Sequence, residues 1–225
     1  MKVAIFVDGG FYRRRAQAVF GSMTAEERAE ELESYCHRHL HFNKKKENPK
    51  ILYRIFYYDC PPMDKKVYHP FLKRQVDFSK TDLFSWSNSF LDELKKKRKF
   101  ALRLGKLADA QAHYSLKDKV LRALCNGSKR YEELTEDDFS INVEQKGVDM
   151  KIGLDIASLA YKKQVDQIIL ISGDSDFVPA AKLARREGID FILDPLGATI
   201  KPDLFEHIDG LRSCDKAYRD RLCKK

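Results

Sequence analysis

The things this sequence lacks narrow it first. No apolar run approaches the length needed to span a bilayer. The opening MKVAIFVDGG meets an acid too soon to supply the apolar core of a signal peptide. The five cysteines, Cys36, Cys60, Cys125, Cys214 and Cys223, are odd in number, and no two form C-x-x-C or a zinc-knuckle spacing. They read as free thiols in a reducing compartment, so the expectation is a soluble, cytoplasmic protein with no membrane partner. Internal repeats and low-complexity tracts are absent. Acids are outnumbered: 34 Asp and Glu against 42 Lys and Arg leave a net charge of +8 and a pI near 9.1. That balance suits a polyanionic partner, nucleic acid before an acidic membrane surface, and speaks to association rather than fold.

What is present fits one large α/β domain, or one domain with an insertion, in 225 residues. A hydrophobic share of 43% with 34% charged residues implies a core under a heavily charged exterior. The organising stretch is QIILISGDSDF, Gln167 to Phe177. Ile168 to Ile171 has the unbroken apolar character of a strand buried on both faces, as in the middle of a parallel sheet. The run breaks at Ser172-Gly173, two aspartates follow at Asp174 and Asp176, and Phe177 to Glu187 has helical spacing. Ser172, Asp174 and Ser175 are all good helix caps, but two acids are more than capping needs.

The same design appears at the start, where Val3 to Val7 is a short apolar run ended by Asp8-Gly9-Gly10, with Arg13, Arg14 and Arg15 on the helix beyond. Thr24-x-x-Glu27 is a capping box for a helix reaching about His39, with Leu32, Tyr35, Cys36 and His39 along one side. Lys44-Lys45-Lys46 begins a polar linker. Ile51 to Tyr58 reads as a third strand, whose Tyr53, Phe56, Tyr57 and Tyr58 belong to sheet core rather than to a base-stacking platform. From Met63 to about Tyr131 the βα rhythm loosens. Thr81 to Lys99 looks helical and ends in KKKRK, Phe100 to Leu107 alternates as a strand would, and Lys117 to Cys125 reads as a short helix. After an extended piece at Ile141 to Glu144, Val148 to Lys163 has helical spacing through Ile152, Ile156, Leu159 and Ala160. Ile189 to Leu193 is a last strand. From Ser213 a basic tail carries Lys216, Arg219, Arg221, Lys224 and Lys225. The expected architecture is an α/β/α sandwich around a mainly parallel sheet, with a helical elaboration over 63–140 and a tail over 213–225.

Acids stand where chemistry could use them at Asp8, Asp149 and the Asp174/Asp176 pair. Carboxyl ends of parallel strands share one edge, so such groups converge although far apart in sequence. Carboxylates held together repel unless a cation neutralises them. An all-carboxylate set favours the hard ions Mg²⁺ or Mn²⁺ and disfavours zinc. Such a site suits phosphodiester hydrolysis. The paired His37 and His41 lack a third ligand, and Ser172 lacks a His/Asp partner to activate it, so it is expected to support the acids. Arg13 to Arg15 begin one turn past Asp8, where they could reach a phosphate or form a solvated helix face. Lys146 is placed to contact a phosphate or to pair with a neighbouring acid. KKKRK at Lys95 to Lys99 reads as the polar end of a helix or, less simply, as a nucleic-acid contact.

At these residues the chain resembles the NYN domain of the PIN-like nucleases: VDGG at Asp8, KGVD at Asp149 with Asp155 six residues on, and SGDSDF at Asp174 and Asp176. The resemblance covers roughly Met1 to Arg15 and Glu144 to Leu211. It implies a Rossmann-like (PIN-like) fold over 1–212 and a divalent-metal-dependent ribonuclease acting on single-stranded or structured RNA. By that likeness Asp8, Asp149, Asp174 and Asp176 are the catalytic metal ligands. Asp155 also matches a family acid, but six residues is about 600° of helix rotation, which turns it away from Asp149 into a supporting role. Relatives commonly carry Asn three residues after the first Asp, and this chain has Phe11 there. The alternative is therefore an RNA-binding or regulatory protein with a weak or silent site. An aspartyl phosphatase is disfavoured, because Gly-Gly follows Asp8 where a second acid would be needed. A homodimer is left open.

Overall fold

A computed structural model describes residues 1–41 and 49–220; Lys44–Lys46, Cys223 and the basic residues Arg221, Lys224 and Lys225 lie outside the described residues. The chain divides into two units. The first comprises Met1–Cys60, Ser89–Gly105 and Gly147–Lys225. Its strands are β1 (Lys2–Asp8), β2 (Ile51–Asp59), β3 (Phe100–Leu104), β4 (Gln167–Ile171), β5 (Asp190–Asp194) and β6 (Gly210–Leu211). They form one sheet in the order β6-β5-β4-β1-β2-β3, with every pair parallel. This is the doubly wound order in which the chain reverses its direction of travel between β1 and β4.

The double burial expected from the apolar runs is present. Val3 to Val7 and Ile168 to Ile171 are all fully buried. Both faces of the sheet are therefore covered by helices, as an all-parallel sheet requires. Around it lie α1 (Gly9–Phe20), α2 (Ala25–His41), α3 (Asp82–Lys96), α4 (Val148–Tyr161), α5 (Val178–Arg186), α6 (Pro202–Glu206) and α7 (Lys216–Asp220). The capping box forms as its spacing predicts: the Glu27 N–H donates to Thr24 Oγ1 at 3.2 Å, and the Thr24 N–H donates to Glu27 Oε2 at 2.9 Å. Leu32, Tyr35, Cys36 and His39 are the inward stripe of α2, and Ile152, Ile156, Leu159 and Ala160 that of α4. Phe56, Tyr57 and Tyr58 are buried in the sheet core.

The second unit, Pro61–Asn88 with Lys106–Lys146, combines helical segments with short strand ribbons. Ser89–Gly105 returns to the first unit to supply β3. Lys66–His69 pairs with Arg74–Asp77, Lys106–Leu107 with Gln145–Lys146, and His113–Leu116 with Phe139–Asn142, all antiparallel. Asp118–Cys125 is an α-helix, and Phe78–Lys80, Asp109–Gln111, Tyr131–Glu133 and Glu136–Asp138 are single 3-10 turns. The period-two exposure of Lys66-Val67-Tyr68-His69 buries Val67 and His69 on one side only. His69 stacks near Tyr114 and Phe139 (ring centroids 4.1 and 5.4 Å apart), which gives this unit an aromatic centre.

The residues from Ser213 onward differ from the separate basic tail expected over 213–225. Those that are described belong to the first unit's core, with Tyr218 fully buried against Tyr35 and Phe20. They are held by Asp194, the last residue of β5, which is 0% exposed. Its carboxylate accepts from Tyr35 Oη, from His39 Nε2 at 2.8 Å, from the Leu196 N–H at 2.8 Å and from Ser213 Oγ at 2.7 Å. A buried carboxylate this fully hydrogen-bonded is tolerable, whereas removing it strands its donors. Asp194→Ala should therefore lower unfolding stability by about 3–5 kcal/mol. Ser213→Ala, which removes a single bond, should cost about 1 kcal/mol. Urea denaturation at pH 7 measures both.

Candidate nuclease site

The register of β1 against β4 builds the site. Val7 pairs with Ile171, so the next residues of the two strands, Asp8 and Ser172, come side by side where the strand order reverses. Ser172 Oγ donates to Asp8 Oδ2 at 3.2 Å and accepts from the Asp174 N–H at 3.3 Å, tying the two strand ends together. The other oxygen of Asp8 caps α1, accepting from the Phe11 N–H at 3.0 Å. Asp174 caps the turn that leads into α5, accepting from the Asp176 N–H at 3.0 Å. Asp149 stands in the first turn of α4, after Gly147 in a left-handed conformation with φ of 80°.

Charge shows that these acids share one neighbourhood. Partial desolvation raises the Asp149 carboxyl above its ordinary range, and the charges of Asp174 and Asp176 raise it further. Half-buried Asp8 is also raised, mainly by burial. Hydrogen bonds from Phe11 and Ser172 oppose that, the charge of Asp149 adds to it, and Arg14 lowers it. Asp8, Asp174 and Asp176 thus lie at the carboxyl edge of the first unit's sheet, and Asp149 is close enough to feel the charges of the later pair. All-carboxylate donors that repel one another fit a hard divalent ion. Among the described residues, however, no three His, Cys, Asp or Glu side chains stand close enough to hold a metal by themselves. The fit is to an ion that keeps water in its shell, not to a closed protein cage.

The supporting residues divide. Ser172 lies between the acids, as expected. Asp155 accepts from Tyr58 Oη at 2.8 Å and from Arg103 Nε at 3.0 Å, so it fastens α4 to β2 and β3. Of the three arginines, Arg13 pairs with buried Asp59 at 3.0 Å, and Arg15 donates twice to the Leu196 carbonyl, at 3.2 and 2.9 Å. Arg14 is exposed and near Asp8, and so is free to meet a ligand. Lys146, in the second unit, is exposed and forms no ion pair among the described residues. Most of KKKRK is occupied: Lys95 pairs with Asp92, Lys96 with Glu93 and Lys97 with Glu33, while Lys99 bonds the Leu52 carbonyl.

Two residues escape a reading of the sequence. Lys201 donates to Ser175 Oγ at 3.1 Å, placing a cation at the loop between Asp174 and Asp176. No motif around it signals this. Asp59 also ends a strand, but it is buried, bound by Tyr57 Oη at 2.9 Å and by the Cys60 N–H at 2.8 Å, and it secures Arg13. The close packing here requires Gly9, because a Cβ there would lie 2.5 Å from the Tyr57 hydroxyl. Phe11 turns its ring onto Gly173, where an added Cβ would come within 2.8 Å of Cε2. A separate cavity of about 740 Å³, bordered by Lys182, Arg185, Arg186, Asp190 and Asp209, opens at the start of β5, on the edge opposite the acids. Arg185 and Asp209 pair there at 2.8 Å.

A doubly wound parallel sheet flanked by helices defines a Rossmann-like α/β protein. The NYN domain model matches residues 87–200, just over half of the chain, and the chain belongs to that family of PIN-like nucleases. The match takes in Asp149, Asp174 and Asp176 and begins within the middle third that had no sequence likeness, leaving Asp8 outside it. A crystal structure of a protein of unknown function from Vibrio parahaemolyticus RIMD 2210633 has the same fold. It is 14% identical, with 96% of this chain and 94% of that one covered at a TM-score of 0.50. No curated protein sequence matches. No helix among the described residues is long and apolar enough to cross a membrane.

The raised Asp149 carboxyl carries a sign. A carboxyl whose pKa is higher folded than unfolded opposes folding above its unfolded pKa, and the penalty fades as pH falls through the folded value. Asp149→Asn should therefore unfold at a higher urea midpoint than the parent at pH 7, with the gap closing below about pH 4. Millimolar Mn²⁺ should raise the melting temperature of the parent more than that of Asp149→Asn, measured by differential scanning fluorimetry.

Proposed function

We propose that this NYN-family protein is a divalent-metal-dependent ribonuclease hydrolysing RNA phosphodiester bonds at the Asp8, Asp149, Asp174 and Asp176 cluster. The observation that carries the reading is that Ser172 ties Asp8 to the Asp174 turn at the sheet's switch point, with Asp149 near enough to feel the later pair of acids. A protein has little use for uncompensated like charges unless a cation joins them. Bound there, Mg²⁺ or Mn²⁺ would supply charge neutralisation at the phosphoryl group and a more acidic water.

The chain's own residues do the rest. Ser172 fixes the orientation of the Asp8 carboxylate through its hydrogen bond. Asp149, its proton affinity raised by burial and by the neighbouring acids, accepts the proton of the water attacking in line at phosphorus. Arg14, whose charge acts on Asp8, and Lys201, bonded to Ser175, are exposed cations able to hold substrate phosphate. The net charge of +8 draws the RNA backbone to the protein.

One observation favours a second reading, an RNA-binding or regulatory protein with a weak or silent nuclease site. Phe11 presents a ring where relatives offer a polar side chain, and it packs on Gly173 beside the acids. On the first reading, Asp174→Asn folds like the parent and loses at least about a hundredfold in Mn²⁺-dependent cleavage of a labelled RNA. Unchanged cleavage by the pure, folded variant would overturn the nuclease reading. On the second, the parent binds RNA without cutting it, and Phe11→Asn, which restores the polar group, gains cleavage. A Phe11→Asn protein no more active than a silent parent would remove Phe11 as the cause.

A further inference from the structure

The second unit carries no member of the acid cluster, yet its surface has a pattern of its own. In the ribbon of Lys66–His69 and Arg74–Asp77, one face is committed inward: Val67 is buried against the unit's core, and His69 packs on Tyr114 and Phe139. Alternation sends Lys66 and Tyr68 the other way. Tyr68 is 54% exposed and makes no hydrogen bond or ring contact among the described residues. Its cross-strand neighbour is Gln75, an exposed amide.

Charge around the ring has one predominant sign. Lys73, in the connecting turn, is exposed and paired with no acid among the described residues; Arg74 is also unpaired, but it stands opposite His69 and so lies on the other side of the ribbon. Lys66 reaches Asp77 only at 3.8 Å, with its side chain largely in water, a contact too loose and too solvated to hold it. Phe71, in the same turn, is 42% exposed. An unpartnered aromatic ring flanked by unneutralised cations is a costly surface for a protein that meets only water. It matches a ligand with flat apolar faces strung on a polyanionic backbone. Single-stranded nucleic acid is such a ligand, whereas in a duplex the base faces are already stacked on one another.

We infer that the outward face of this ribbon binds single-stranded RNA, with Tyr68 stacking on a base, Gln75 meeting its edge, and Lys66 and Lys73 contacting phosphates. The inference rests on the proposed nuclease reading for its choice of RNA and adds a gripping surface, remote in sequence from the acids.

The test is fluorescence anisotropy of a fluorescein-labelled single-stranded RNA 20-mer with the full chain, in EDTA so that cleavage does not intervene. Tyr68→Ala is expected to weaken binding by about tenfold with an unchanged salt slope, and Tyr68→Trp to retain it. Lys66→Ala with Lys73→Ala should reduce the slope of log K against log[KCl] by roughly 0.7 for each phosphate that the variant no longer neutralises. For an abasic 20-mer, Tyr68→Ala and parent should bind alike. All three positions are exposed, and circular dichroism checks that each variant folds. If every ribbon variant binds as the parent does, or if the parent binds no RNA, the inference is overturned. The nuclease reading is judged separately, by Mn²⁺-dependent cleavage in the parent and in Asp174→Asn.

Discussion

The pairing of Val7 with Ile171 is the constraint on which the rest of the molecule hangs. Each fully buried Val, Ile, Leu or Phe in β1 and β4 contributes about 1.5–3 kcal/mol. Slipping one strand by a residue would turn every one of those side chains to the other face. The register is therefore held by many apolar contacts at once, and the polar strand ends have no say in it. Asp8 and Ser172 are neighbours because of what lies behind them. The hydrogen bond between them is weak by comparison and cannot have set the alignment; it takes advantage of it.

That division of labour lets the site be unfavourable in itself. Asp8 and Asp149 are both less comfortable as carboxylates here than in water, through burial in the first case and through burial and neighbouring charge in the second. Scattered over a surface, such charges would relax apart. They cannot do so here, because one ends a buried strand, one opens a helix packed by Ile152, Ile156 and Leu159, and two sit in the short turn between β4 and α5. Asp194 shows the opposite solution at the end of β5: an acid drawn wholly inside and surrounded by donors, which joins α2 to the residues around Ser213. Strand-end aspartates one and two strands apart are thus left half-exposed in one case and made a point of cohesion in the other. Burial and the number of donors separate them.

Legibility in the sequence follows the length scale of the signal. The doubly buried strands, the α2 stripe and the capping box are readable because each is a local pattern that tertiary structure only confirms. That Asp8 and Ser172 stand side by side is readable because strand ends share an edge in any parallel sheet. What cannot be read is decided by partners distant in sequence. Arg13 and Arg15 look equivalent to Arg14 on the page, but Asp59 and the Leu196 carbonyl claim the outer two. Lys201 reaches Ser175 through a loop that no periodicity describes. The ribbons of the middle third escape notice because each strand is only two to four residues long, too short for an alternating pattern to stand out. The tail reads as a free basic segment because nothing in its composition announces that Tyr218 is buried.

Both stretches of the second unit are loops of the same scaffold. One leaves after β2 and returns through α3; the other leaves after β3 and returns at α4. Neither interrupts the β1–α1 or β4–α5 connection, where Asp8, Asp174 and Asp176 reside. Substitution in those two excursions can therefore reshape the second unit's surface without touching the strand register that sets Asp8 beside Ser172, and the two compartments of the chain are free to diverge at different rates.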